Sequence, residues 1–284
     1  MGKVRGRAIL ALLLVFSAAC GNAPQAMTQK RMPADIPPKV LDDWATFPVD
    51  RAPRPLLIIG DLPAVGGPEH MSDGLKTIIR NRAFTRKFGP VETPPGRARV
   101  ELPDGPAELP LVSAEEAFAA MTRPASDAAE VVRAELGAAS FGTDRGGVKL
   151  PAWLFFVRGS DVPVAWPAIG VAALWKPGEI RATAVAADAR LASDGRSLAV
   201  SLPGPPPPCP GQEPVTYQTQ VIESERTVAV GVRADGVPAE DCVRPALGRM
   251  IRYDFVLKSA LGGRVLLDLQ GGVIPVTWPP SAIR

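Results

Sequence analysis

Few residues in this 284-residue chain have the side chains that catalysis usually requires. The one histidine, His70, lies in a segment rich in glycine, which is typical of a solvated loop. A Ser-His-Asp triad would have to use this histidine, and the Gly-x-Ser-x-Gly motif of many serine hydrolases is missing from the sequence. A loop histidine is the favoured interpretation, with a catalytic or ligand role as the alternative.

The motifs of common metal and nucleotide sites are missing from the sequence as well. There is no His-Glu-x-x-His, and a zinc site needs three or four nitrogen, sulfur or oxygen ligands. The glycine pairs that begin at residues 66, 146, 262 and 271 match neither Walker A nor Gly-x-Gly-x-x-Gly. We therefore predict no metal, no cofactor and no phosphate-binding loop.

Carboxylates are the one catalytic device that the sequence leaves open, because glycoside hydrolysis needs only two acids that meet in space. Asp42-Asp43 and Glu115-Glu116 are adjacent acids, but each pair has a structural explanation. The first falls in an N-terminal tether and the second at a helix start. We predict no catalytic residue, and a carboxylate-dependent hydrolase remains the alternative.

Cys20 ends a short apolar run that follows a cationic start. Lys3, Arg5 and Arg7 precede the apolar residues 8–19, which are fewer than the ~20 that a membrane-spanning helix needs. This is the pattern of a secretory signal peptide. Residues 17–20, Ser-Ala-Ala-Cys, resemble a lipobox, at which a bacterial lipoprotein is diacylated on its cysteine and cleaved before it, although an aliphatic residue usually stands in place of the serine. Ordinary signal cleavage after Ala19 is the alternative.

This start predicts a protein anchored on the extracytoplasmic face of the cell membrane through diacylglycerol and palmitate on Cys20. Without lipidation the protein would be secreted. Cleavage before Cys20 removes three of the 32 basic residues and none of the 29 acidic ones, so the mature chain is formally neutral. A neutral chain lacks the positive field that drives nucleic-acid binding, and we exclude nucleic acid as a partner. The candidate partner is another envelope protein or polymer.

Two further cysteines, Cys209 and Cys242, remain after lipidation and allow one pairing in an oxidising compartment. A disulfide closing this loop would contribute about 3–4 kcal/mol to stability. Metal binding by the two thiols is the rival interpretation, but no second ligand pair accompanies them.

Five basic residues fall within a stretch of twelve that contains no acid: Lys76, Arg80, Arg82, Arg86 and Lys87. We call these the basic group. The ordinary interpretation is a solvated helix face. The alternative is contact with anionic lipid headgroups or envelope polymers, worth roughly 1 kcal/mol for each basic residue near the surface.

The 32 prolines divide the chain into segments and make long helices improbable in most of it. The predicted organisation is a signal peptide over 1–19, a lipidated cysteine and proline-rich tether over 20–52, an α+β domain over 53–202, a proline-rich linker over 203–214 and a β-rich region over 215–284.

The first predicted domain combines short helices with an antiparallel meander. Leu56–Gly60 is predicted as a buried strand, a helical turn begins near Asp73, and a capping box at Ser113 and Glu116 starts a second helix. The meander covers 130–172, with 150–157 as its central strand. On its first strand Val132, Ala134 and Leu136 are predicted to face the core, as are Trp153 and Trp166, whereas Trp44 falls in the tether.

The C-terminal part reads as further strands. A hairpin is predicted over 191–202 around a Ser-Asp-Gly turn, followed by strands over 215–222, 227–232, 251–257 and 265–268. The fold class is α+β and β-rich: an antiparallel meander with one or two short helices, followed by a disulfide-linked antiparallel β region.

Three segments of the sequence, 141–155, 193–200 and 262–268, resemble recurring segments of uncharacterised secreted lipoproteins from high-GC Gram-positive, actinobacterial-type bacteria. The resemblance implies location and ancestry, and it carries no activity. The order of a helix followed by a meander over 113–171 is similar to the PepSY type of extracellular domain, which implies a peptidase-inhibitor or chaperone module.

These features predict a membrane-anchored extracytoplasmic lipoprotein with a non-enzymatic binding or envelope-support role. The alternatives are a carboxylate-dependent hydrolase of envelope polymers and a PepSY-like module.

Overall fold

The structure is a computed structural model that describes residues 39–60, 62–65, 71–92, 96–102, 105–186, 188–209, 211, 213–235 and 249–278. The predicted signal peptide, Cys20 and the first part of the predicted tether lie outside these residues, as do His70 and Cys242. The residues described all belong to one compact unit, which spans 32–284.

Strands make up most of the regular structure. The helices are α1 (Lys39–Asp42), α2 (Asp73–Asn81) and α3 (Ala114–Met121), with one 3₁₀ turn at Val171–Ala173. The strands are β1 (Ala64–Val65), β2 (Phe84–Arg86), β3 (Arg97–Leu102), β4 (Gly105–Pro110), β5 (Ala129–Thr143), β6 (Gly146–Val157), β7 (Val164–Pro167), β8 (Ala189–Leu191), β9 (Ser197–Pro203), β10 (Thr216–Glu223), β11 (Thr227–Asp235), β12 (Met250–Val256), β13 (Val265–Asp268) and β14 (Val276–Thr277).

The two predicted helices are present with local capping that explains them. In α3 the hydroxyl of Ser113 accepts from the amide of Glu116 at 3.2 Å, and the Glu116 carboxylate accepts from the Ser113 amide at 3.0 Å. The predicted capping box is therefore confirmed. At α2 the hydroxyl of Ser72 accepts from the amide of Leu75, and the helix ends at Arg82 in a left-handed conformation.

The predicted meander forms the largest sheet, whose strand order is β1-β7-β6-β5-β2. β5, β6 and β7 pair antiparallel in sequence order, and β6 is the central strand, as predicted. The core of this half contains Trp153 and Trp166, with exposed fractions of 1% and 2%, which confirms that prediction.

Three side chains of β5 are predicted to face the core, and for two of them the prediction is wrong. A register shift between Val131 and Arg133 marks a bulge, which inserts one residue, so that Val131 and not Val132 lies on the buried face with Ala134. The bulge does not account for Leu136, which lies two residues after Ala134 and shares its face. Val131 and Ala134 are buried, whereas Val132 and Leu136 are 37% and 45% exposed.

The remaining strands form one two-stranded and two larger sheets. Their orders are β3-β4, β10-β11-β13 and β12-β9-β8-β14. The sheets are not purely antiparallel as predicted, because β2 runs parallel to β5, β13 to β11 and β14 to β8. Parallel neighbours need long crossovers, and here β12, which belongs to another sheet, lies in the chain between β11 and β13.

The proline-rich segment 203–214 connects strands within the compact unit. β9, before the segment, pairs along its length with β12, after it, and the amide of Gly204 donates to the carbonyl of Arg249 at 2.7 Å. Because both sides contribute to one sheet, the boundaries predicted at 203 and 215 do not separate two cores.

The predicted tether ends earlier than residue 52. Trp44 is only 6% exposed and Phe47 is fully buried, in a cluster that also contains Leu57, Ala229 and Val265. Residues 39–52 are therefore part of the folded unit, because their aromatic side chains supply core volume.

Leu56–Ile59 joins two cores instead of forming a regular strand. Leu56 and Ile58 pack in the core of the β5–β6–β7 sheet, and Leu57 and Ile59 pack in the cluster of Phe47. The backbone makes isolated bridges, from Leu56 to residue 174 and from Ile58 to residue 143. The segment is buried as predicted, on both of its faces.

Candidate functional site

The turn between β5 and β6 buries two charged side chains. Asp144 and Arg145 are 5% and 4% exposed. The hydroxyl of Thr143 donates to the carbonyl of Gly146 at 2.7 Å and accepts from the amide of Arg145 at 3.2 Å. The amide of Val276, in β14, donates to the carbonyl of Asp144 at 2.9 Å. The hairpin tip is thus held inside the fold.

Asp144 pairs with Arg54, which lies in the loop after α1. The two side chains are 4% and 9% exposed, and Nη2 of Arg54 donates to Oδ2 of Asp144. The guanidinium carbon of Arg54 also lies 5.2 Å from the ring centroid of Phe47, in a cation–π contact. These contacts fix the guanidinium. Its Nη1 and the Oδ1 of Asp144 are buried and make no hydrogen bond to the described part of the chain.

A surface cleft of about 110 Å³ is lined by Arg54 and by residues of three elements. These elements are the loop after α1, the β3–β4 hairpin and the 3₁₀ turn. Four lining residues are charged, namely Arg51, Arg54, Arg97 and Glu108, and the other walls are proline, leucine and alanine side chains. We call this the arginine cleft.

The β3–β4 hairpin positions the outer wall of the arginine cleft. Arg97 lies opposite Pro110 in the ladder, and its Nη2 donates to the carbonyl of Glu108 at 2.6 Å. The amide of Gly170 donates to the carbonyl of Pro110 at 2.9 Å, which joins the hairpin to the 3₁₀ turn. The side chain of Arg97 is therefore held across the strand pair beside the cleft.

The arginine cleft favours a negatively charged group. The three arginines of the cleft exceed Glu108 and the paired Asp144 by one positive charge. Planar guanidinium groups bind carboxylates and phosphates through parallel hydrogen bonds. Among the residues that line the cleft, Glu108 is the one acid and none is a serine, threonine, cysteine, histidine or lysine. This composition suits binding, and it supplies no nucleophile.

A second cavity offers no comparable site. It has a volume of about 10 Å³ and lies between β9 and β11 among apolar side chains, such as Val230 and Leu269. A space of this size accommodates no more than a single water molecule.

The structure divides the predicted basic group. Lys76 pairs with Asp73 at 3.2 Å and Arg86 pairs with Glu115 at 3.5 Å, which offsets part of the positive charge. Arg80 and Lys87 are exposed. Contact with an anionic surface stays a prediction for Lys76, Arg80, Arg86 and Lys87.

Arg82 was included in the basic group, and for this residue the prediction of a surface contact is wrong. It is 8% exposed, its Nε donates to the carbonyl of Met121 at 2.6 Å, and Nη2 donates to the carbonyl of Ala120. Its guanidinium lies 4.7 Å from the ring of Trp166. Burial lowers the pKa of Arg82, with the neighbouring charge of Arg123 acting in the same direction. These carbonyls and the ring hold the charge inside, where it caps the C-terminal end of α3.

The structure describes one of the three cysteines for which a role is predicted. Cys209 is 6% exposed, while Cys20 and Cys242 lie outside the described residues. Lipidation of Cys20 and the pairing of Cys209 with Cys242 stay predictions. His70 also lies outside the residues whose structure is described.

The most buried carboxylates have structural partners. Asp268, 1% exposed, accepts from the hydroxyl of Thr183 at 2.7 Å and from the amides of Gln270 and Gly272. Burial alone would raise the pKa of Glu223, but hydrogen bonds from the Lys258 amide and the Arg264 guanidinium lower it overall. A general acid needs a raised pKa, so Glu223 is poorly suited to that role.

The adjacent acids of the sequence also have ordinary surroundings. Asp42 and Asp43 are exposed at the end of α1. Glu116 completes the capping box, and Glu115 pairs with Arg86. Neither pair lines the arginine cleft.

Comparison with known proteins does not identify the family of this chain. The chain matches no protein-family model, no curated protein and no solved structure. Within the described ranges, no three histidine, cysteine, aspartate or glutamate side chains are grouped so that they could hold a metal ion. The helices of these ranges are all too short or too polar to cross a membrane.

Sequence reasoning missed every charged residue of the arginine cleft and its ion pair. Arg54 follows the predicted tether, and Asp144 and Arg145 fall inside the predicted meander, where no charged contact is expected of them. One available signal was the alternation of Val100 and Leu102 with charged residues before a Pro-Asp-Gly turn, which is typical of a hairpin. The pairing of Arg54 with Asp144 joins residues 90 positions apart, and no local pattern encodes it.

Proposed function

We propose that this protein is a lipoprotein of the extracytoplasmic membrane face that binds a ligand without chemical turnover. The observation that carries the binding role is the arginine cleft, where a buried, ion-paired Arg54 lines a surface cavity beside two further arginines. Fixed guanidinium groups without an adjacent nucleophile are the composition of a recognition site.

The anchor rests on the sequence around Cys20. The cationic start, the short apolar run and the lipobox-like residues 17–20 all precede one cysteine. Two acyl chains on this cysteine would give stable membrane attachment, whereas one chain gives marginal attachment. The resemblance to secreted actinobacterial-type lipoproteins supports the same location.

The segments that carry this resemblance serve the fold. Residues 141–155 form the buried β5–β6 turn and most of β6, and 262–268 lead into and form β13. In the third segment, the carboxylate of Asp194 accepts from the amides of Arg196 and Ser197 and from the Ser197 hydroxyl at 2.6 Å. The Ser197 hydroxyl, with these amides, lowers the pKa of Asp194 to about 2. The segments support common ancestry and no shared activity.

We also propose the disulfide between Cys209 and Cys242. Cys209 is buried at the end of the proline-rich segment, where a cross-link would restrict the long connection between β11 and β12. Such a bond would contribute about 3–4 kcal/mol, and oxidising conditions outside the cytoplasm would maintain it.

The test of the anchor is cell fractionation with two variants of the full chain. Cys20→Ala is expected to move the protein from the membrane fraction into the medium, because no acyl chain can be attached. Ser17→Leu, which restores the usual lipobox residue, is the matched control and should leave the protein in the membrane fraction. Membrane retention of Cys20→Ala at the level of the control would contradict the proposal.

A further inference from the structure

We infer that the arginine cleft binds a phosphate group, either free phosphate or a phosphate ester at the end of a larger envelope molecule. The inference deepens the binding role proposed above and rests on it. Nothing in the motifs of the sequence indicates such a site, and the fold alone brings its arginines together.

Arg54 places a fixed guanidinium at the wall of the cleft before any ligand arrives. Its side chain is 9% exposed, it lines the cleft, and its Nη1 makes no hydrogen bond to the described part of the chain. Because Nη1 is closed off from solvent, Arg54 contributes a fixed positive charge at the wall of the cleft rather than a free N–H. Asp144 and the ring of Phe47 hold the guanidinium still.

Arg51 and Arg97 supply the second and third cations from different elements. Arg51 stands on the loop that carries Arg54, and Arg97 stands on β3 across the cleft. Both are exposed, so the cleft is open to a ligand from solvent. A tetrahedral group with several charged oxygens can accept from more than one of these guanidinium groups at once.

The number of acceptor oxygens favours phosphate over carboxylate. Asp144 already offsets one arginine of the cleft, and Glu108 stands at its rim. A phosphate monoester carries about −1.5 to −2 charges at pH 7 and three acceptor oxygens, whereas a carboxylate carries one charge. Glu108 and Asp144 leave one net positive charge, so the charge does not select the group, but three oxygens let phosphate accept from Arg51 and Arg97 at once.

The size of the cleft suits one such group. Its volume of about 110 Å³ exceeds the ~30 Å³ that a water molecule occupies in the liquid, and it is smaller than the ~300–1,000 Å³ of sites for whole organic ligands. Pro53, Leu109 and Pro110 give the walls an apolar character. The cleft therefore fits a head group, with any attached chain lying outside.

The test is isothermal titration calorimetry on the purified full chain in detergent, at low and constant ionic strength. The probes are inorganic phosphate, glycerol 3-phosphate and acetate. We expect saturable binding of both phosphates and much weaker binding of acetate. Tighter binding of glycerol 3-phosphate than of inorganic phosphate would assign the site to an ester head group, and the reverse order would assign it to free phosphate.

Two double variants, each of which removes two positive charges, test whether phosphate binds in the arginine cleft. Arg51→Gln/Arg97→Gln is expected to weaken phosphate binding by about tenfold, because charge-assisted hydrogen bonds are lost. The control, Arg99→Gln/Arg133→Gln, removes two exposed arginines outside the cleft and should change binding less than about twofold. Arg54 is left intact, since its loss would leave Asp144 buried without its partner.

Three results would overturn the inference: no saturable binding of phosphate, equal losses in the two double variants, or acetate binding as tight as phosphate. A failure here is distinguishable from failure of the anchor, because calorimetry on purified protein does not depend on where the cell places the chain.

Discussion

At the level of single residues, Arg54 and Asp144 are held where an uncompensated charge would be costly. Both side chains are at least nine-tenths buried, and the pair joins the loop after α1 to the β5–β6 turn. In such surroundings the attraction between the charges is strong, and so is the penalty for losing one partner. Loss of either partner would therefore destabilise the fold that presents the arginine cleft.

Removal of Arg54 gives a large expected loss of stability. Arg54→Met should lower the free energy of unfolding by about 3–5 kcal/mol, because the carboxylate of Asp144 then stays buried without its ion pair. The control is Arg99→Met, which breaks an exposed pair with Glu101 and should cost less than about 1 kcal/mol. Urea denaturation measures both, and equal effects would contradict the role of the buried pair.

Glu223 gives a prediction for the dependence of stability on pH. Its pKa lies below the ordinary value of 4.5, since the Lys258 amide and the Arg264 guanidinium outweigh the effect of burial. The folded state thus favours the ionised form. The resulting stability is present above about pH 4.5 and is lost as the pH falls through the lower pKa of the folded protein.

Glu223→Gln should therefore cost about 2 kcal/mol at pH 7, and the difference from the wild type should shrink at acid pH. Glu225→Gln, an exposed acid two residues away, is the control and should change stability little at either pH. The measurement is urea denaturation at several pH values. A difference that stays constant down to pH 2 would exclude ionised Glu223 as the source.

At the level of elements, the sequence predicted which segments are strands and helices better than how they face. The capping box of α3 and the β5–β6–β7 meander follow from local patterns and are present. The bulge near residue 132 moves Val132 off the buried face, whereas Leu136 shares the face of Ala134 and the register does not account for its exposure. Parallel pairs such as β11 with β13 were also missed, because strand order depends on contacts distant in sequence.

Gly231, in the middle of β11, tests how tightly one strand packs. A Cβ at this position would lie within 2.7 Å of three side-chain carbons of Leu269, which is itself 4% exposed. Gly231→Ala should lower the free energy of unfolding by about 1–3 kcal/mol through overpacking. Gly147→Ala is the control in β6, since a Cβ there meets nothing within 4 Å. Comparable thermal stabilities of the two variants would contradict this packing.

At the level of the whole molecule, the fold is one compact unit that begins before the predicted domain boundary. Trp44 and Phe47 were assigned to the tether because of the surrounding prolines, yet both are core residues. The pairing of β9 with β12 likewise connects regions that the proline-rich segment seemed to separate. Composition indicates where the chain turns, and it does not reveal which strands meet.

The candidate site could not be predicted from the sequence for the same reason. The basic group is predicted as a solvated helix face, but Arg82 is buried against Trp166 and the end of α3. The arginine cleft assembles residues from positions 51–54, 97–110 and 172–173, which only the three-dimensional fold brings together. We propose that this folded unit binds an anion and is carried on a lipid anchor.

The modification state of Cys20 tests the anchor, on which the proposed location depends, most directly. Mass spectrometry of the tryptic peptide over residues 20–30, from protein in the membrane fraction of native cells, is expected to show a diacylglyceryl group on Cys20 at a new N-terminus. Chains cleaved elsewhere, or an unmodified cysteine in this peptide, would contradict the account.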